Sequence, residues 1–93
     1  MIRSFADRQA EKIWNGELSR KLPPDIQKRA YDRMRFIDAA DGIDDLRSPP
    51  SNRLYALSGD RAGQHSISIN DQWRICFVWK DEAAYDVEIV DYH

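Results

Sequence analysis

The sequence predicts an α+β fold, with a short opening strand and two helices followed by a run of four strands, in the order β-α-α-β-β-β-β. Two patterns carry this reading. Apolar residues recur at helical spacing through residues 6–40, and after a break rich in Gly, Pro, Asp and Ser they alternate with polar ones at period two. Size is the third observation. At 93 residues the chain is long enough for one core and too short for two, so residues 1–93 are read as one domain.

Met1 to Phe5 alternates apolar and polar residues, the mark of a half-buried strand. Asp7 or Ser4 then suits the N-cap of a short helix carrying Ala6, Ala10, Ile13 and Trp14, and Gly16 suits its end. Past Pro23 and Pro24, the residues Ile26, Ala30, Met34 and Ile37 stack on one side of a second helix from Pro24 to Ala40. Its outward side holds Lys28, Arg29, Arg33 and Arg35, read as a solvated face with local ion pairs to Asp25 and Asp32, with docking to RNA or an acidic partner as the alternative. Asp41 to Asn52 reads as a loop. Strands follow at Arg53–Leu57, at His65–Ile69, at Trp73–Trp79 and at Tyr85–Asp91. In the last hairpin, matching apolar positions pairs Trp79 with Tyr85, Phe77 with Val87 and Ile75 with Ile89. That register sets Arg74 opposite Val90 and brings the terminal Asp91, Tyr92 and His93 beside it.

Composition narrows the function classes. With 42% hydrophobic and 32% charged residues the chain is expected to fold as a soluble globular protein. No segment matches the roughly 18 apolar residues of a membrane span, and Arg3, Asp7, Arg8, Glu11 and Lys12 interrupt any secretory core, so a cytoplasmic protein is expected. One cysteine, Cys76, and two histidines, His65 and His93, make neither a disulfide nor a convincing zinc site, and no cofactor is expected. The net charge of −2 argues against indiscriminate binding of nucleic acid. Between Leu46 and Trp79, however, Arg47, Arg53, Arg61 and Arg74 outnumber Asp60 and Asp71.

The gathering of Arg74, Asp91, Tyr92 and His93, within reach of Arg53 and Arg61, has the parts for RNA phosphodiester cleavage. That chemistry needs a base for the ribose 2′-OH, positive charge on the transition state and an acid for the leaving 5′-oxygen. Histidine titrates in the useful range, arginine forks onto phosphate, and Tyr55 and Tyr92 offer rings for a splayed base. The plain structural alternative is arginines paired with carboxylates and a frayed tail. By the same reasoning His65, alternating with Ile67 and Ile69, is read as a structural histidine, Trp73 and Trp79 as core, and Cys76 as a small buried hydrophobe.

Several motifs occur together and in one order. They are Asn52-Arg53-Leu54, Ala56-Leu57-Ser58-Gly59-Asp60-Arg61-Ala62-Gly63, Asn70-Asp71-Gln72-Trp73-Arg74-Ile75-Cys76-Phe77 and the terminal Val87-Glu88-Ile89-Val90-Asp91-Tyr92-His93. In these the chain resembles the HigB-type toxins of the RelE superfamily, also known as plasmid maintenance killer proteins. The resemblance implies a RelE-like, microbial ribonuclease-like fold with two to three N-terminal helices packed on a small mixed, mostly antiparallel sheet. It implies the toxin of a type II toxin-antitoxin system, a metal-independent endoribonuclease that cleaves mRNA in the decoding site of the ribosome. The implied partners are the ribosome, mRNA and a HigA-type helix-turn-helix antitoxin, with operator DNA reached only through the antitoxin complex and no membrane.

Carried over residue by residue, Arg74 matches the family arginine for phosphate stabilisation, Asp91 and His93 match positions for proton transfer or RNA orientation, and Tyr92 matches the aromatic one. Arg53, Tyr55 and Arg61 are expected to bind RNA, with an ion pair from Arg61 to Asp60 or Asp71 as the alternative. Tyr55 stands where some relatives place a histidine, and Ser58 where some place a lysine. Both departures keep open a second function: a weakly catalytic module that mainly binds its antitoxin and tunes operon repression.

Overall fold

In the computed structural model, which describes residues 1–92, two helices pack on one face of a four-stranded antiparallel sheet. The elements are α1 (Arg8–Trp14), α2 (Pro24–Ala39), β1 (Tyr55–Ala56), β2 (Gln64–Ser68), β3 (Trp73–Lys80) and β4 (Ala83–Asp91), in sheet order β1-β2-β3-β4. Among the described residues no helix is long and apolar enough to cross a membrane. The expected opening strand is reduced to two isolated parallel bridges, Ile2 to Ala84 and Phe5 to Val87. These add a parallel edge to an otherwise antiparallel sheet.

α1 starts where Asp7 accepts the amide of Gln9, leaving Ser4 free for another task, and stops at Gly16, whose φ of 84° lies in the left-handed region. α2 begins with Pro24 in its first turn and buries Ile26, Ala30, Met34 and Ile37, the four residues whose spacing predicts it. These pack with Leu46, Ile67, Ile69, Ile75, Phe77, Val87 and Ile89 into the core. Two of the arginines on its outward side also fasten the helix to the sheet: half-buried Arg33 donates to the Ser68 carbonyl at 3.0 Å and Arg29, which stays exposed, more weakly to that of Ile69 at 3.4 Å. Lys28 does pair with Asp32, in the exposed i,i+4 arrangement. Trp73 and Trp79 are partly buried against the core rather than wholly inside it.

The β3–β4 hairpin corrects the expected register near its turn. At the far end Ile75 faces Ile89 and Arg74 faces Val90, as apolar matching predicts, but near the turn Val78 faces Tyr85 and Trp79 faces Ala84. A bulge lies between, where Asp86 adopts a left-handed φ of 54° and β4 spends an extra residue opposite Phe77. Asp81 and Glu82, both at positive φ, close the hairpin with a two-residue turn, tighter than expected. The bulge lets Ala84 and Val87, three residues apart, both enter the core. It is braced from outside by the Ser4 hydroxyl, which accepts the Asp86 amide at 2.9 Å. The strand expected over Arg53–Leu57 shrinks to Tyr55–Ala56 because Arg53 itself is left-handed, with φ of 48°.

Candidate active site

The sheet face turned away from the helices carries the candidate chemistry. Alternation along the strands sends Ser66 of β2, Arg74 and Cys76 of β3, and Glu88 and Val90 of β4 to this side, because their neighbours Ile67, Ile75 and Ile89 go to the core. Arg74 lies near one end of it, opposite Ser68 and Val90. Its Nε donates to Ser66 Oγ at 2.8 Å, and its Nη2 donates to the Arg53 carbonyl at 2.6 Å and, more weakly, to the Ser66 carbonyl at 3.4 Å. The guanidinium also lies 5.0 Å from the ring centre of Tyr55 and 5.8 Å from that of Tyr92. It is therefore held at the rim of the sheet by backbone, hydroxyl and aromatic contacts, with no carboxylate partner among the described residues. Burial lowers its pKa from the usual arginine value, yet a guanidinium stays charged throughout the physiological range.

This geometry depends on the loop before β1. Asn52 is fully buried and donates through Nδ2 to the carbonyls of Leu46 and Ser48, closing the loop on itself. The next residue, Arg53, then takes its left-handed conformation and delivers its carbonyl to Arg74. The Arg53 side chain is mostly exposed and reaches Asp71 only at 3.9 Å. Asn52 is a positioning residue that sequence reasoning missed. An Asn directly before an Arg in a Pro- and Ser-rich loop was the available signal.

Arg61 pairs with neither Asp60 nor Asp71. Its Nη1 donates to the carboxylate of Glu88, 27 residues on, and to Gln64 Oε1 at 3.0 Å. Donating a hydrogen bond to Glu88 raises the pKa of Arg61, against a smaller opposing effect of burial. Cys76 lies directly between Ser66 and Glu88 in the cross-strand row and is buried, and burial pushes its thiol pKa up. That environment suppresses the thiolate, in keeping with a structural cysteine.

The structure thus brings together Arg74, Tyr55, Tyr92 and the Arg53 backbone, with Arg61 and Glu88 on the same face. Asp91 is not among them. It sits opposite Trp73 and so belongs to the helix side of the sheet, where its carboxylate accepts from Gln72 Nε2 at 3.2 Å. His93 lies outside the described residues. His65 stacks on Phe77 with ring centres 6.3 Å apart, on the core side, and burial lowers its pKa, the environment of a structural histidine. Among the described residues no three His, Cys, Asp or Glu side chains cluster as metal ligands.

The fold is that of a RelE-like toxin. Residues 3–93 match the RelE-like toxins of the type II toxin-antitoxin system HigB, and the chain belongs to that family. It is 34% identical over 85 residues to Toxin HigB-1 of Vibrio cholerae serotype O1, covering 90% of each chain. It is 32% identical to Endoribonuclease HigB of Proteus vulgaris over the whole of both chains. A solved structure, the YoeB-YefM complex from Staphylococcus aureus, shares the fold with a TM-score of 0.63 at 15% identity, over 100% of this chain and 98% of that one.

Proposed function

We propose that this protein is an endoribonuclease toxin that cuts mRNA in the decoding site of the ribosome without a metal ion, and that a HigA-type antitoxin neutralises it. One observation carries the reading: a charged arginine fixed near one end of an open sheet face, between two tyrosine rings that are 56% and 43% exposed. The arginine suits the charge that builds on the phosphate, and the exposed rings suit bases pulled out of a stacked strand. The relative named Endoribonuclease HigB supports the activity, and the YoeB-YefM complex supports an antitoxin partner.

In this reading the ribose 2′-oxygen attacks the adjacent phosphorus as its proton passes to a base. The bond to the 5′-oxygen breaks as an acid protonates it, leaving a 2′,3′-cyclic phosphate and a 5′-hydroxyl. Arg74 stabilises the added negative charge, Tyr92 and Tyr55 hold the flanking bases, and His93 is the proton-transfer residue carried over from the family. Asp91, turned to the helix side, acts by orienting the terminal segment through Gln72. An open face makes few phosphate contacts of its own, which suits an enzyme of net charge −2 whose RNA is presented by the ribosome.

The test is to incubate the purified protein with a defined mRNA, naked and on ribosomes with a chosen codon in the decoding site, with and without chelator, and to map the product ends. Cleavage within that codon, only on ribosomes and undiminished by chelator, is the expected result. A folded protein that cuts in neither setting yet binds a HigA-type antitoxin tightly would replace this reading with that of an antitoxin-binding module.

A further inference from the structure

We propose that Glu88 is a positioning residue of the cleavage reaction: through its ion pair with Arg61 it holds a second guanidinium on the face of Arg74, so that the scissile phosphate meets two arginines. The inference rests on the ribonuclease reading above.

Arg74 supplies charge but has few donors left. Of its five N–H groups, those on Nε and Nη2 are directed to Ser66 and to the Arg53 carbonyl, so Nη1 alone has no partner among the described residues. A pentacoordinate phosphate exposes more oxygens than one such nitrogen can serve. Arg61 has the complementary arrangement. Both of its hydrogen bonds among the described residues use Nη1, leaving Nε and Nη2 available.

Placement favours joint action. Glu88 faces Cys76 across β3 and β4, while Arg74 is the previous residue of β3 on that face, so Glu88 is the diagonal neighbour of Arg74, at about 7–8 Å between backbones. Arg61 itself stands on a short loop turn, Gly59–Arg61, in which no side chain is buried. Nothing in that turn fixes a long side chain; Glu88 and Gln64, both on strands, do so. The pair is also partly shielded, with side chains 34% and 26% exposed, so it resists water better than a fully solvated surface pair.

The experiment measures single-turnover cleavage of a defined mRNA on ribosomes by wild-type protein and by Arg61→Ala, Glu88→Ala, the double variant and Glu88→Gln, with Arg74→Ala as control. Arg61→Ala and Glu88→Ala are each expected to slow cleavage by about tenfold or more, the scale of a misplaced catalytic group. Because Glu88 acts through Arg61, the double variant should be no slower than Arg61→Ala, and the shape of the pH–rate profile should survive in Glu88→Ala. Glu88→Gln, nearly isosteric, guards against a variant that fails to fold and should fall between. A wild-type rate in Glu88→Ala overturns the proposal, as do multiplying effects in the double variant. Loss of a limb of the pH profile also overturns it, by making Glu88 the proton acceptor itself.

If wild-type protein cuts nothing, the ribonuclease reading falls, and the pairing is judged by titrating inorganic phosphate while following the Nε–H resonances of Arg61 and Arg74. Both should shift in the wild type, and only Arg74 in Glu88→Ala. A silent Arg61 in the wild type overturns the proposal.

Discussion

The two faces of the sheet are made by the same strands yet obey different rules. On the helix side Ile67, Ile75, Phe77, Val87 and Ile89 are packed among α1 and α2 in one apolar cluster. On the other side Ser66 and Cys76 are just as buried, but they underlie Arg74, Arg61 and Glu88. Burial on the first face removes apolar surface from water; on the second it fixes polar groups in place. Stability and chemistry are therefore separated by a single step along each strand, and substitutions one residue apart should report on different properties.

The largest test of that separation is Phe77→Ala. Phe77 is fully buried on the helix side, so its loss should cost about 3–5 kcal/mol, read from the midpoint of urea unfolding. A loss below about 1 kcal/mol would mean that the helix face does not hold the fold. Arg74→Ala, three residues earlier on the other face, should do the reverse. Cleavage should drop at least about 100-fold, while unfolding shifts by about 1 kcal/mol through the lost hydrogen bonds. Arg74→Lys should not recover the activity, since an ammonium cannot reproduce the fork to Ser66 and the Arg53 carbonyl.

Tyr55→Ala should weaken capture of RNA by about 1–3 kcal/mol, seen as a raised KM with kcat largely kept, and Tyr55→Phe should retain most of the affinity. The smallest effect belongs to His65. Burial depresses its pKa in the folded protein below 6.5, and its Nδ1 has no hydrogen-bond partner among the described residues. The unfolded chain then binds a proton that the folded one resists, so this contribution to stability is present above about pH 6.5 and is lost as pH falls from there toward the folded value. Unfolding compared at pH 7.5 and 5.5 should show a fall that His65→Gln reduces; an unchanged slope would show that other groups are responsible.

Much of this division is legible in the sequence, because a period of two assigns faces without any knowledge of the partners. Ile75, Phe77 and Arg74 follow from alternation alone, and the core stripe of α2 from its spacing of three and four. What alternation does not carry is backbone conformation of single residues. The left-handed Asp86 and Arg53 shift a register and shorten a strand, and neither is a glycine that would have announced it. The pairing of Arg61 with Glu88 joins residues far apart in the chain, while the sequence offered nearer carboxylates in Asp60 and Asp71. Asp91 is a different case. Applied strictly, the register that puts Arg74 opposite Val90 also puts Asp91 on the side of Trp73, because adjacent residues of a strand turn to opposite faces.

Asp7 gives the fold a kinetic character as well. One of its carboxylate oxygens accepts the Gln9 amide at the start of α1, and the other accepts the amide of Ile89, 82 residues away. The bridges of Ile2 and Phe5 to β4 span comparable distances. Contacts of such separation form slowly, since a long loop must close before they return any energy. The first helix, the amino-terminal edge and β4 therefore share one anchor and should open and close as one cooperative unit, with protection of the Gln9 and Ile89 amides in hydrogen exchange rising and falling together.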